Sequence, residues 1–346
     1  MGSPPTTRAA DALAFRPTVR PVACLASLAL AALSVTGIAT TARAAETVRI
    51  GLGTRIAAAP LHIASSRGYF ERESLEVVFT SAEDDGELVE LLADEDIDLA
   101  TLSADAVLAA SADGLDLRGA YVLGLSGAAD AIVAREEVSD TRLLRGRRVA
   151  VLPRSPGALL LAEALQRKGR RITDVEAVAL GGLEAAEALL AGDVDAAALH
   201  GPILSAFAST EGFSVLASAA EAEAEGLVSD LLVGTEDELE ERKTATKGVI
   251  RALDRAVGWM RRNPEETIQL LAEIYSADAA DTARALEGTE LLDVEDGMML
   301  LRGEYQKAFS RMSEVLDEAG AERRREVPSA NRYLALSALR QVAAGR

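Results

Sequence analysis

Residues able to make or break bonds are scarce in this chain. It has two histidines, His62 and His200, and one cysteine, Cys24. No G-x-S-x-G, G-x-x-x-x-G-K-[ST] or H-E-x-x-H pattern occurs, so no nucleophile, phosphate loop or zinc helix is written in the sequence. The histidines lie far apart, and a tetrahedral zinc site wants three or four ligands at set spacings. The expectation is therefore no metal, no cofactor and no catalysis. Binding chemistry remains. Arg55 and Arg154 each sit in a loop that opens a helix, where free N–H groups and a partial positive charge accept an anion. Pointed inward, the two could hold a sulfonate or carboxylate through charge-assisted bonds. Pointed outward, they are solvated surface arginines.

The other candidates are polar groups in loops. Thr54 neighbours Arg55. Ser155 and Gly157 follow Arg154 and offer a hydroxyl and backbone N–H groups, although Ser155 equally suits a helix cap. Ser103 and His200 each end a short apolar strand, and Ser126 lies in a Ser-Gly turn. Asp105 suits either a ligand amine or a helix cap. His62 lies inside a helix and reads as packing or surface. The only tryptophan, Trp259, reads as core. These loops hold no aromatic ring besides the imidazole of His200, which favours a small, polar or anionic solute.

The elements that position these residues come in two matched sets. Asp96-Ile97-Asp98-Leu99-Ala100 lies over Asp193-Val194-Asp195-Ala196-Ala197, and Ser103 then falls opposite His200. Upstream, strands expected over 48–52 and 149–153 each lead into a loop and a helix, with second strands at 75–79 and 175–178. Similarity within the pair is low, so this is repeated architecture and not a tandem array. Two equivalent α/β units face each other most simply across a cleft. In open α/β sheets ligands bind beyond the carboxyl ends of the strands. Those ends are the loops at 53–59, 103–105, 154–157 and 200–202.

Gly68-Tyr69-Phe70-Glu71-Arg72-Glu73-Ser74-Leu75-Glu76-Val77 resembles the GYF-x-x-x-G-L-x-V passage of ABC-transporter substrate-binding proteins of the nitrate/sulfonate/taurine type. Ser74 stands where that family has Gly. Leu144-Arg145-Gly146-Arg147-Arg148-Val149-Ala150-Val151 and Ala191-Gly192-Asp193-Val194-Asp195-Ala196 resemble two further passages, and the break at Asn263-Pro264 a fourth. The resemblance implies a type II periplasmic-binding-protein fold, with two α/β lobes, two crossover strands and a central ligand cleft. Lobe 1 would be 45–130 plus 230–346 and lobe 2 would be 131–229, with crossovers at 131–134 and 230–234. Helices are expected over 236–241, 244–262, 264–275, 277–286 and 305–319. The implied function is an exported, monomeric solute-binding protein that delivers a nitrate-, sulfonate- or taurine-like solute to the permease and ATPase of an ABC importer. Two alternatives remain: an enzyme resembling thiamine-pyrimidine synthases, or a ligand-sensing module for a signalling receptor. Ala57, Ala58 and Ala104 also leave room for a cleft that has lost its ligand.

The first 44 residues read as a secretory signal peptide. Arg8, Arg16 and Arg20 precede an apolar run over 22–35, and Ala42-Arg43-Ala44 is a small-x-small cleavage site. The run is short of the ~20 residues a spanning helix needs. Cys24 lies within it, which leaves the exported chain without thiol chemistry. The whole chain carries −19; residues 1–44 carry four Arg and one Asp, net +3, so the remainder carries −19 − 3 = −22. Such a charge opposes nucleic acid and anionic membranes as partners. The exported protein is expected in the periplasm.

Overall fold

The computed structural model describes residues 45–153, 155–208, 210–220, 228–300, 312 and 333–345. The signal-peptide reading of 1–44, Arg154, and, apart from Met312, the helix expected over 305–319 lie outside the described residues.

Eleven strands and twelve helices among the described residues build two α/β sheets. β1 (Glu46–Leu52), β2 (Leu75–Ser81), β3 (Leu99–Ser103) and β4 (Leu117–Ser126) alternate with α1 (Ala59–Ser66), α2 (Asp85–Ala93) and α3 (Ala104–Asp113). The chain then crosses to a second sheet. There β5 (Asp130–Arg135), β6 (Arg148–Ala150), β7 (Glu176–Val178), β8 (Ala196–His200) and β9 (Phe213–Ser218) pack with α4 (Pro156–Gln166), α5 (Gly182–Ala191) and α6 (Gly201–Ala208). It returns through β10 (Ser229–Thr235), followed by α7 (Glu236–Glu241), α8 (Lys243–Arg262), α9 (Pro264–Ile274), α10 (Ala279–Glu287), β11 (Thr289–Leu291), α11 (Val294–Leu300) and α12 (Leu336–Ala344).

The strand orders are β11-β4-β10-β3-β1-β2 and β7-β6-β8-β5-β9. Without the added edge strand β11, the first sheet reads β2-β1-β3-β10-β4. Each sheet then has the same plan: three parallel strands, one antiparallel strand donated by the passage from the other lobe, and a fifth strand beyond it. The two aspartates aligned in sequence do the same work. Asp98 accepts the backbone N–H of Arg49 (2.7 Å) and its Nε (3.0 Å). Asp195 accepts the backbone N–H of Arg148 (3.0 Å) and Nη1 of Arg147 (2.6 Å). Each therefore ties the loop before its third strand to the first strand of the sheet.

Both sheets are covered on both faces, which is why their strands read as apolar runs and not as alternation. In the first, Ile50, Tyr121 and Leu232 pack under Leu61 of α1, Val249 and Leu253 of α8 and Leu339 of α12. Val122, Leu231 and Val233 meet Leu88 of α2 and Val107 of α3 on the other face. In the second, Ile132 and Val149 pack on α4, while Val133 and Leu199 pack on α5 and α6. The helices expected over 244–262 and 264–275 are α8 and α9. Between them Asn263 donates through Nδ2 to the Trp259 carbonyl (2.8 Å) and Pro264 opens α9. Trp259 is partly buried against the core, with the Arg67 guanidinium 3.9 Å above its ring. The edge strands β9 and β11 and the short helix α11 were not expected.

Ser74 holds the left-handed turn itself, at φ 57° and ψ 40°. Its N–H donates to the Glu71 carbonyl and its carbonyl accepts from Glu46, so the turn joins β1 to β2. No helix among the described residues is long and apolar enough to cross a membrane.

Candidate functional site

The strand-end loops of both lobes open onto one cleft of about 3090 Å³. That is well above the ~300–1,000 Å³ of a typical small-molecule pocket. On one side the lobes touch, where α6 packs against α10. Nearby the first interlobe passage is pinned, because the N–H groups of Gly127 and Ala129 both donate to the Gly288 carbonyl at 2.9 and 3.1 Å. A Cβ on Gly288 would stand 2.6 Å from the Ala129 nitrogen, so the chain segments meet there at backbone distance.

Thr54, Arg55, Ser155, Gly157 and His200 line the cleft. Thr54 is exposed. Gly157 opens α4 directly against β8, and a Cβ there would sit 2.6 Å from the Ala198 methyl. Ser155 caps α4: its Oγ accepts from the Ala158 N–H (3.2 Å) and donates to the Leu152 carbonyl (2.7 Å). Ser103 caps α3 in the same way, accepting from Ala106 (3.4 Å). It is fully buried, and its hydroxyl donates to Asp85. Ser126 is buried too and donates to Asp130. Neither Ser103 nor Ser126 is among the residues that line the cleft.

Arg55 differs from its sequence reading as an anion holder. Its Nη1 and Nη2 donate to the two oxygens of Asp130 at 2.7 and 3.0 Å, and its Nε donates to Asp230 at 2.6 Å. The side chains are 15%, 6% and 6% exposed. Asp130 is the first residue of β5 and Asp230 the second of β10, the strands that follow the two interlobe passages. One guanidinium therefore ties both passages together, and its charge is already matched by two carboxylates. The Tyr275 hydroxyl lies 3.5 Å from the Arg55 carbonyl and closes the same corner.

The electrostatics follow from this geometry. Burial drives Asp130 up, but the Arg55 charge, its paired bonds and the Ser126 hydroxyl together hold it below the usual carboxylate range. Asp230 receives one bond only; burial outweighs Arg55 and lifts it to about 6. Asp85 is raised by burial despite its bonds from Ser103. Asp105 is raised to about 8 by burial and by the negative charge of Asp85. It is 1% exposed, and its Oδ2 has no hydrogen-bond partner. His200 faces Asp130 across the β5–β8 ladder. Burial and the Arg55 charge lower its pKa, against the pull of Asp130. His62, set in edge contact with the Tyr275 ring, is lowered by burial to about 4. Both imidazoles are therefore neutral at pH 7.

Sequence reasoning overlooked Asp85, Asp130 and Asp230. A signal was present for two of them. Asp130-Ala131-Ile132-Val133 and Asp230-Leu231-Leu232-Val233 each put a lone acid before an apolar strand at matched points. The aromatic walls were also unforeseen: His62, Phe207, Phe213 and Tyr275 reach the cleft from helices and an edge strand, not from the loops.

Known proteins share this architecture. The periplasmic aliphatic sulphonate binding protein SsuA of Escherichia coli superposes with a TM-score of 0.69 at 22% identity, covering 83% of this chain and 97% of its own. The alkanesulfonate-binding SsuA of Xanthomonas axonopodis pv. citri, solved bound to MOPS, gives 0.72 at 21% identity, covering 84% and 99%. In sequence, a protein of Brucella abortus (strain 2308) described as a binding protein is 23% identical over 264 residues, 74% of this chain and 80% of the relative. The fold is that of the periplasmic binding proteins. Residues 56–267, more than half of the sequence, match the family described as NMT1/THI5 like, and the chain belongs to that family.

Proposed function

We propose that this protein is an exported solute-binding protein: it captures a small polar solute between its lobes and delivers it to the permease and ATPase of an ABC importer, without chemistry on the solute. The observation that carries this reading is a cleft lined by the matched strand-end loops of both lobes, Gly53-Thr54-Arg55 and Ser155-Pro156-Gly157. A solute there touches both lobes only when they close. Its differential affinity for the closed form then drives the shift, with the two passages as hinges. The sulfonate-binding names of the similar structures support a solute of that size, as does their periplasmic setting for export with cleavage near Ala44. In this reading the lobes are 45–130 with 230–346, and 131–229, and the protein acts as a monomer.

The test is a solute screen on the purified protein, read by thermal shift and small-angle scattering. A bound solute raises the melting temperature as RT ln(1 + [L]/Kd) and reduces the radius of gyration. A protein whose melting and dimensions ignore every small anion and amine would refute the reading.

A further inference from the structure

The acid–base balance of the cleft points to the class of solute, an inference that rests on the solute-binding reading above. Among the described residues lining the cleft are twelve Asp and Glu against three Arg and no Lys. None of those three arginines is free. Arg55 is held by Asp130 and Asp230. Arg135 donates to the Leu189 carbonyl (2.9 Å) and lies 5.8 Å from the Phe213 ring centre. Arg284 is paired with Asp281. Both imidazoles are neutral. An anion entering here would lose its water without gaining a described cationic partner, which is strongly unfavourable. The chain's overall negative charge adds a field that concentrates cations at the cleft mouth.

One carboxylate is built to receive such a cation. Asp85 lines the cleft at the start of α2. Its Oδ2 is fixed by two donors of Ser103, the backbone N–H at 3.2 Å and the hydroxyl. Its Oδ1 has no protein partner among the described residues. Behind it stands Asp105, buried, with an oxygen that no donor reaches. Two carboxyl groups thus crowd around one serine hydroxyl, with no cation among the described residues in bonding contact with either. A positive charge at Asp85 would relieve that crowding.

We propose that the cleft receives a small organic cation, a solute recognised through a protonated amine or a quaternary ammonium, with Asp85 as its carboxylate partner and Ser103 as the residue that positions Asp85.

Calorimetric titration of the purified protein decides the matter, with ethanolamine, cadaverine and choline set against ethanesulfonate and nitrate. At least one cation binds, tenfold or more tightly than either anion. Asp85→Asn weakens that binding at least tenfold while the unliganded melting temperature holds. Raising sodium chloride from 0.05 to 0.5 M weakens it further. If an anion binds and the cations do not, the cationic class is wrong while solute binding stands, and loss of that affinity in Arg154→Ala would name the anion's partner. Unchanged cation affinity in Asp85→Asn removes Asp85 from the site. If no probe binds and scattering shows no closure, both readings fall.

Discussion

Replacing Arg55 by Met tests whether its role is to hold the hinges. The substitution keeps much of the side chain's bulk but removes three charge-assisted bonds, two to Asp130 and one to Asp230. It leaves two carboxylates, each with a side chain 6% exposed, facing each other without a cation. Breaking a buried pair by removing one partner costs about 3–5 kcal/mol. At roughly 2–4 °C per kcal/mol for a chain of this size, the melting temperature should fall by roughly 6–20 °C at pH 8. The loss should shrink at pH 5. Without Arg55 both acids have folded pKa values above their ordinary 3.8, so the folded state holds extra protons and stability falls as pH rises from about 4 upward. Asp230, lifted to about 6 even beside Arg55, is the first to take its proton. Scanning calorimetry at the two pH values reads both effects. The triple variant Arg55→Met, Asp130→Asn, Asp230→Asn should recover most of the loss, because a buried charged triad can be exchanged for neutral groups at little cost. A single variant melting within 1 °C of the parent at pH 8, or a triple variant no better than the single, would refute the hinge-tie reasoning.

Three further outcomes are expected. Ser74→Gly should stabilise the protein by up to about 1 kcal/mol in urea unfolding, because Ser74 sits in the left-handed region that Gly adopts without steric cost. Asp105→Asn should gain stability over the parent as pH rises. The parent carboxyl has its folded pKa raised to about 8, so the parent loses up to about 1.4 kcal/mol per pH unit between about 4 and 8, while the amide does not titrate. Calorimetric melting across that window gives parallel curves if Asp105 is ordinary. His200→Ala should weaken solute binding about tenfold, the scale of one lost polar contact, with unliganded melting unchanged. A large loss of unliganded stability would mark His200 as structural.

The sequence was most legible where burial on both faces wrote the strands as apolar runs. β3 is buried at all five positions, and β5 at all but its last. The acidic turn before each third strand and the polar residue at its end then fixed the match between Ser103 and His200. β9 carried no such signal: it is a half-exposed edge strand of mixed residues. β11 has three residues and pairs only with β4. Site residues were legible as places more than as roles. The strand-end rule brought Thr54, Arg55, Ser155, Gly157 and His200 to the cleft, but nothing local says where a side chain finds its partner. Arg55 meets acids 75 and 175 positions away. Ser155 turns its hydroxyl back to the carbonyl three residues before it. An arginine in a helix-opening loop reads as an anion site until its counter-charges are known.

Those counter-charges also link hinge to cleft. Asp130 lines the cleft, opens the strand after the first passage, binds Arg55 and faces His200. Asp230 anchors the return passage to the same guanidinium. In the proposed hinge, the pivot is a buried triad with more negative than positive charge. In the proposed closure, a carboxylate from each side, Asp85 beside the first sheet and Asp130 on the second, would face the same solute. A cation arriving there would lower the electrostatic cost of bringing the lobes together, whereas an anion would raise it. On the proposed reading, the charge that selects the solute also favours the closed form, and closure needs no separate latch.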